Sequence, residues 1–358
     1  MRNIPLFGSV LFFLGGIVLG YANQGMEGIA WILGLVCVSI HFQSRESLKG
    51  FVMSTLVLAG LIIAFFYPSY LVSYRDFSFT SFIIPLIQLI MLGMGTTMKW
   101  SDFESLLKAP KAVGIGISAQ LLIMPIVGWS LAALSGLPPE IAAGIILIGA
   151  SPSGVASNVM AYLAKANVPL SITITSVATL IAPFVTPIYM KYLGGAYIEI
   201  EVLPMMWSIV KMILLPIGLG LLFNHYFAEQ SKQFNRLLPK ISIAGIVLII
   251  MIITAAGREN LLAIGQKLFL LVLIHNLSGY ALGYSFAKIL GMPTKDAQTI
   301  ALEVGMQNGG LASGIANSLG KITSLGLAPA VFGPLMNVTG SLLASFFQKN
   351  DSLAKKTD

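Results

Sequence analysis

EVGMQNGGL, from Glu303 to Leu311, lies within an apolar run long enough to cross a bilayer, yet it carries a carboxylate, two side-chain amides and three glycines. An ionisable group at bilayer depth costs at least ~2.5–3.5 kcal/mol on insertion scales, so it persists where it lines a polar site. Gly305, Gly309 and Gly310 interrupt the helix-forming residues, and each glycine weakens a helix by roughly 1 kcal/mol relative to alanine. At membrane depth, backbone freed by a broken helix is tolerated only against protein or a water-filled cavity. The stretch therefore predicts a discontinuous helix at a binding site. A second interrupted stretch, GASPSGVASN (Gly149–Asn158), stands in the first half of the chain.

The composition sets the class. The 358 residues are 56% hydrophobic and 10% charged, against about 25% charged in soluble domains. That predicts an all-α polytopic membrane protein embedded in the lipid bilayer, with ten to twelve spans of about 20 residues and no soluble domain. The net charge of +7 fits Lys and Arg gathered in cytoplasmic loops and calls for no nucleic-acid partner. Cys37 is the single cysteine, so no intrachain disulfide is expected. His41, His225 and His275 lack the spacing of a transition-metal site. No cofactor is expected, and nothing in the sequence speaks to oligomeric state.

Along the chain, apolar runs at 5–22 and 27–43 form an extra N-terminal hairpin (1–50), and a polar loop (43–49) joins it to the body. Arg2, the apolar run and the small residues Gly20 and Ala22 also resemble a cleavable signal peptide, which multi-spanning proteins rarely need. The body repeats a five-span pattern. The first set (51–192) has spans at 51–68, 81–98, 112–134 and 169–191, with a broken segment at 141–165. The second (203–348) has spans at 205–224, 239–257, 267–290 and 328–347, with a broken segment at 296–320. A tail (349–358) follows. Matched interrupted segments in two halves point to a transporter site. Five being odd, the second set enters from the opposite side, so the repeats are inverted. With both termini cytoplasmic, fifteen Lys and Arg fall inside and five outside (Arg75, Lys191, Arg258, Lys267, Lys321), with Lys211 inside a span. That bias is the positive-inside pattern. Ser101-Asp-Phe-Glu104 reads as a capping box that starts a short cytoplasmic helix. Pro125, Pro183, Pro187 and Pro216 predict kinks within spans.

Several polar residues within spans need partners. Glu303 is the carboxylate well inside a span, and it either holds a cation or ends a helix in cytoplasmic water. Gln307 shares its face if the backbone stays helical. If the backbone unwinds, the carbonyls of Val304 and Met306 become cation ligands. Ser157 and Asn158 either cap the second half-helix or bind the ion. Ser171 and Thr175 share a helical face, for packing or for ligation. Gln120, at mid-span, needs a partner for its amide. Lys211 either snorkels to the surface or serves the site. His275-Asn276 is a satisfied interhelical pair or a proton relay.

GVASNVMAYLAKANVPLS (154–171) and EVGMQNGGLA (303–312) resemble the two crossover segments of the bile acid:sodium symporter family. MLGMGTTMKWSDF (91–103), SIVKMILLP (208–216) and HNLSGYALG (275–283) resemble its intervening helices. The resemblance covers about 51–348. It implies ten helices in two inverted repeats, a core domain with crossed broken helices, and a panel domain. It also implies two Na⁺ sites. One would use Ser157, Asn158, Ser171, Thr175 and Glu303. The other would use Gln120, Glu303, Gln307 and the backbone of Val304 and Met306. Bacterial members often carry Thr at the position of Val155 and His at the position of Asn337; both departures lie on the substrate side. Residues 1–48 have no counterpart in the ten-helix pattern.

The expected activity is sodium-coupled symport of a small organic anion by alternating access, in a bacterial inner membrane. Half-helix N-termini favour anions, which makes Ser153, Gly154, Val155, Asn308 and Gly309 candidate substrate contacts beside Asn337. The alternatives are a proton-coupled carrier and a non-transporting ligand sensor. An enzyme is not expected: no HExxH pair is present, and no nucleophile stands with a base.

Overall fold

The computed structural model describes residues 4–21, 27–45, 51–98 and 109–357. The capping box at 101–104 and the cleavage position at Ala22 lie outside them. Among the described residues, six helices are long and apolar enough to cross a membrane: Phe79–Thr97, Pro110–Ser135, Val168–Gly194, Val202–Tyr226, Arg258–Ile289 and Leu327–Asn350. Shorter apolar helices join them, among them Glu27–Gln43, Ser54–Phe66, Pro139–Gly149 and Ile241–Ala256. The protein is an all-α polytopic membrane protein.

The chain opens with α1 (Ile4–Tyr21) packed on α2 (Glu27–Gln43), and α2 packs in turn on α3 (Val52–Phe66). Glycines make this close: a Cβ on Gly34 would stand 3.1 Å from the Phe13 ring. A short turn of helix, α4 (Ser69–Val72), and a two-stranded ribbon (Ser73–Tyr74 with Phe77–Ser78) lead to α5 (Ile83–Thr97).

Next come α6 (Pro110–Ser135), α7 (Pro139–Gly149), α8 (Val155–Leu163) and α9 (Val168–Tyr189). Proline at the first turn of α6 and α7 costs no backbone donor, because those N–H groups have no intrahelical partner. Gly136 ends α6 in the left-handed region at φ 56°. Asn167 caps α9, its side chain accepting from the Leu170 N–H at 3.2 Å. α10 (Val202–Ile209) and α11 (Leu215–Tyr226) are joined by a π-helical turn at Val210–Leu214. Then follow α12 (Ala228–Ala256), α13 (Arg258–Ile289), α14 (Thr294–Gly305), α15 (Gly309–Ser318) and α16 (Leu327–Thr357).

Two packed groups emerge. α5 packs on α11 and α12, and α12 packs on α3. Separately, α6, α7, α8, α9, α13, α14, α15 and α16 pack on one another. The groups touch where α15 meets α5 and α12 and where α16 meets α3 and α12, and α10 packs on α9 and α15.

Buried prolines leave carbonyls without helical donors. Pro125 cannot donate to Leu121, and the Tyr189 hydroxyl donates to that carbonyl instead, at 2.6 Å. Lys211 lies on the exposed stripe of Leu203, Trp207, Leu215 and Leu219. Its ammonium stands 5.9 Å from the Trp207 ring centre. Its aliphatic stem lies on an apolar face, and its charge is within cation–π reach of the Trp207 ring.

The α5–α11 crossing depends on two small residues. A Cβ on Gly95 would stand 2.2 Å from the Ile217 carbonyl oxygen, and one on Gly220 would stand 2.3 Å from that of Leu92. Small residues at such crossings let membrane helices pack by close backbone contact. Gly218, two residues away, has nothing within 4 Å. Gly220→Val should therefore abolish the monodisperse peak in detergent size exclusion, while Gly218→Val retains it. Equal behaviour of the two variants would contradict the crossing.

Candidate functional site

The two interrupted segments meet at their breaks. α7 ends at Gly149 and α8 begins at Val155; α14 ends at Gly305 and α15 begins at Gly309. Between them the chains run as a one-rung antiparallel pair, Ser153 opposite Gln307. The Asn308 N–H donates to the Pro152 carbonyl at 2.7 Å. Carbonyls at the helix ends are met by side chains of neighbouring spans. Thr186 donates to Ala150 at 2.7 Å, Gln120 to Ser151 at 3.2 Å and Asn276 to Gly305 at 2.8 Å. Protein thus replaces the water that unwound backbone would otherwise need at this depth.

Glu303 is wholly buried beside this crossing. Its Oε1 accepts from Ser171 Oγ at 2.5 Å, and its Oε2 accepts from Ser153 Oγ at 2.6 Å and Thr175 Oγ1 at 2.8 Å. No Lys or Arg pairs with it among the described residues. Asn158 Oδ1 stands 2.8 Å from Ser171 Oγ and 3.3 Å from Thr175 Oγ1. Each hydroxyl has one proton. If Ser171 and Thr175 give theirs to the carboxylate, Asn158 Oδ1 faces bare oxygen. Ser157 Oγ donates to the Gly154 carbonyl at 2.7 Å, which leaves its own oxygen 3.3 Å from Thr175 Oγ1. The cluster is rich in oxygen and short of protons, the environment a hard cation completes.

On the other side of Glu303, Gln307 Nε2 donates to the Val304 carbonyl at 2.7 Å, and Gln307 Oε1 accepts from Gln120 Nε2 at 2.8 Å. Gln120 Oε1 is buried without a hydrogen-bond partner. The helix ends at Gly305 and Met306 is extended, so of the two expectations for Gln307 the unwound one holds. Gln307 reaches back to Val304 rather than across one helical turn to Glu303.

Of the expected substrate contacts, Val155 is 45% exposed and Asn308 half-buried, while Ser153, Gly154, Gly309 and Asn337 are buried. The Ser153 hydroxyl lies on Glu303. Asn308 caps α15, accepting from the Leu311 N–H at 3.0 Å. Asn337 donates to the Gly333 carbonyl at 2.7 Å, and its Oδ1 has no partner.

One alternative fails. Ser157 and Asn158 do not cap α8: its N-cap is Gly154, with no side-chain cap bond. The helix begins before them, so Ser157 sits in its first turn and bonds backward to Gly154. His275 and Asn276 make interhelical bonds to different partners, His275 Nε2 to the Met124 carbonyl at 3.0 Å and Asn276 to Gly305. Sequence reasoning missed Ser153 as a donor to the carboxylate. It also missed the lash between Asn167 and α14, in which Asn167 Nδ2 donates to Asp296 Oδ1 at 2.8 Å and its N–H to Thr299 Oγ1 at 2.9 Å. Asn167 ahead of Pro169 was a readable cap signal; its cross-chain partners were not readable.

Comparison with known proteins finds sodium-dependent transporters. The family model described as "Sodium Bile acid symporter family" matches residues 84–264, half of the chain. A sodium-dependent transporter of Bacillus subtilis, YocS, is 40% identical over 271 residues, covering 75% of this chain and 84% of that protein. A probable sodium/metabolite cotransporter of Arabidopsis thaliana, BASS1 (chloroplastic), is 31% identical over 264 residues, 74% of this chain and 66% of its own. The human ileal sodium/bile acid cotransporter is 32% identical over 238 residues, 64% of this chain and 67% of its own.

At the ends of the half-helices away from the crossing-point cluster, Glu140 of α7 is bound by Lys321 Nζ and Ser324 Oγ, just beyond α15. The hydrogen bond from Lys321, then that from Ser324, holds the Glu140 carboxyl below its ordinary 4.5 despite some burial. A depressed folded value stabilises above the ordinary one, and the benefit is lost as pH falls through the depressed value. The pair is more than a third exposed, so solvent screening keeps its worth to about 0–1 kcal/mol. Glu140→Gln should lower the melting temperature slightly at pH 7, and the difference from wild type should shrink as pH falls below 4.5 and through the depressed value. A difference that persists in acid would contradict the ion-pair account.

Proposed function

Because the chain belongs to the sodium bile acid symporter family, we propose that it is a secondary active transporter that couples Na⁺ to the symport of a small organic anion. The observation that carries this reading is the buried Glu303 carboxylate, compensated by hydroxyls and by no cationic side chain among the described residues. A fully desolvated carboxylate with that shell calls for a mobile cation.

One Na⁺ is assigned to Glu303, Ser157, Asn158, Ser171 and Thr175. Their oxygens already stand within 3.4 Å of one another in a chain of contacts. A second is assigned to Glu303, Gln120, Gln307 and the Val304 and Met306 carbonyls. The orphaned Gln120 Oε1 is an oxygen that this ion would satisfy. Ser153 joins the first group through its bond to Glu303.

Two Na⁺ and one carboxylate leave a single positive charge. A monoanion brought to the N-termini of α8 and α15 neutralises the loaded site and meets their free N–H groups. Gly154, Val155, Asn308, Gly309 and Asn337 form the substrate side of this reading. Val155, the exposed one, sets the chemistry of the entrance.

The packing supports a division of labour. Residues 51–192 and 203–348 are two inverted repeats. α6–α9 with α13–α16 form the core, and α3, α5, α10–α11 and α12 form the panel. Core moving against panel gives alternating access. Residues 1–50 add a hairpin beside α3. Both termini are assigned to the cytoplasmic side of a bacterial plasma membrane, with 349–358 as a tail.

Uptake into vesicles at fixed pH, with NaCl or choline chloride outside, tests the coupling. Glu303→Ala should abolish Na⁺-dependent uptake while the protein still inserts; undiminished sodium-driven uptake would sink the site assignment. A pH gradient that drives uptake without Na⁺ would favour proton coupling through Glu303, and binding without flux would favour a sensor. Substrate is found by a thermal-shift screen of organic anions with and without Na⁺. Ser171→Ala combined with Thr175→Ala should raise the Na⁺ concentration for half-maximal uptake. An unchanged sodium dependence would leave those hydroxyls a packing role.

A further inference from the structure

Asn276, buried, and Thr339, half-buried, form a link beside the site that the ligand assignments above do not use. Asn276, on α13, is wholly buried. Its Nδ2 donates to the Gly305 carbonyl at 2.8 Å. Its Oδ1 accepts from Thr339 Oγ1, on α16, at 2.6 Å. The single Thr339 proton also has the Leu335 and Met336 carbonyls within reach, at 3.0 and 3.3 Å. The Asn276 contact is the shortest of the three.

An amide is planar, with its donor and acceptor at opposite corners. One side chain therefore sets the spacing between the end of α14 and the middle of α16. The surroundings leave little slack. A Cβ on Gly305 would stand 2.1 Å from the Tyr280 ring, and one on Gly340 would stand 3.0 Å from Met306 Sδ. The Tyr280 hydroxyl in turn donates to the Met336 carbonyl at 3.3 Å.

The two ends of the link lie at different parts of the site. Gly305 stands between Val304 and Met306, whose carbonyls are assigned to the second cation. Its own carbonyl belongs to the peptide plane that leads into Met306, so holding that oxygen fixes the plane. Thr339 lies two residues beyond Asn337, the substrate-side residue whose Oδ1 is buried and unpartnered.

We propose that Asn276 is a positioning residue that transmits cation occupancy at the unwound end of α14 to the Asn337 segment of α16. The proposal rests on the sodium-symport reading. A cation drawing on the Val304 and Met306 carbonyls stiffens the peptide between them. The Gly305–Asn276–Thr339 chain then holds α16 in one register, and polarisation along linked hydrogen bonds strengthens the chain. By reciprocity, an anion that orders Asn337 raises cation affinity.

Hydrogen–deuterium exchange of the purified full-length protein tests this, with NaCl as the probe and choline chloride as its control. In wild type, Na⁺ should slow exchange both around 302–308 and around 333–341. In Asn276→Ala and in Thr339→Val, Na⁺ should still protect 302–308, at a concentration about two- to tenfold higher, the effect of one lost hydrogen bond. Protection of 333–341 should be lost. Thr339→Ser keeps the hydroxyl and should restore it. The double variant should match either single one, because the pair acts as a unit. A general loss of packing would instead raise exchange in both segments with and without Na⁺, and would overturn the proposal. So would sodium-dependent protection of 333–341 that survives in both single variants. Wild type with no sodium response at either segment would overturn the sodium reading itself.

Discussion

A carboxylate out of contact with water and, among the described residues, without a fixed positive partner is the constraint on which this structure turns. Burying an unpaired charge is among the costliest things a protein can do. Around Glu303 the cost is met by hydroxyls from two places: Ser153 at the first break, and Ser171 and Thr175 on α9. None of these pieces is local in sequence. The fold must therefore bring residues near position 150, 170 and 300 to one point, and the two broken helices are how it does so. A continuous helix at either place would turn the Ser153–Gln307 pairing out of reach.

The crossing explains features that look unrelated. Gly279 and Gly305 let α13 approach the end of α14, a Cβ on Gly279 falling 2.8 Å from the Gly305 Cα. Pro125 interrupts the backbone hydrogen bonding of α6 near Gln120, and the carbonyl it frees is taken by Tyr189. Thr186, one turn before Tyr189, holds the end of α7. α6 and α9 thus spend their irregularities on supporting the first break, as α13 does for the second.

Much of this was legible in the chain because membrane burial makes polar residues conspicuous. Glu303, Gln307, Gln120 and the Ser171–Thr175 pair stand out by cost alone, and the paired interruptions foretold the two broken helices. Less legible were roles set by tertiary neighbours. Ser153 reads as one more loop serine until Glu303 is placed beside it. Asn276 reads as a generic interhelical amide until both ends of its side chain are located. The error over Ser157 came from helix phase, since helix starts are uncertain by one or two residues and a cap residue three positions late bonds the wrong way. The spans expected at 51–68 and 239–257 are shorter apolar helices, Ser54–Phe66 and Ile241–Ala256. For the latter, the helix itself runs on through charged residues from Ala228.

The crossed segments are fastened far from their crossing as well as at it. Glu140 is clasped to Lys321 and Ser324 at one end of the first half-helix. Asn167, just past the other segment's end, is lashed to Asp296 and Thr299. Both fastenings tie the first crossed segment to residues in or just beyond the second, so the crossing is held at its arms as well as at its centre. On the proposed reading, how the arms are tied bears on how far the oxygens around Glu303 can spread, and so on which alkali ion they suit. Ion selectivity would then be a property of how the arms are tied, and not only of the atoms at the centre.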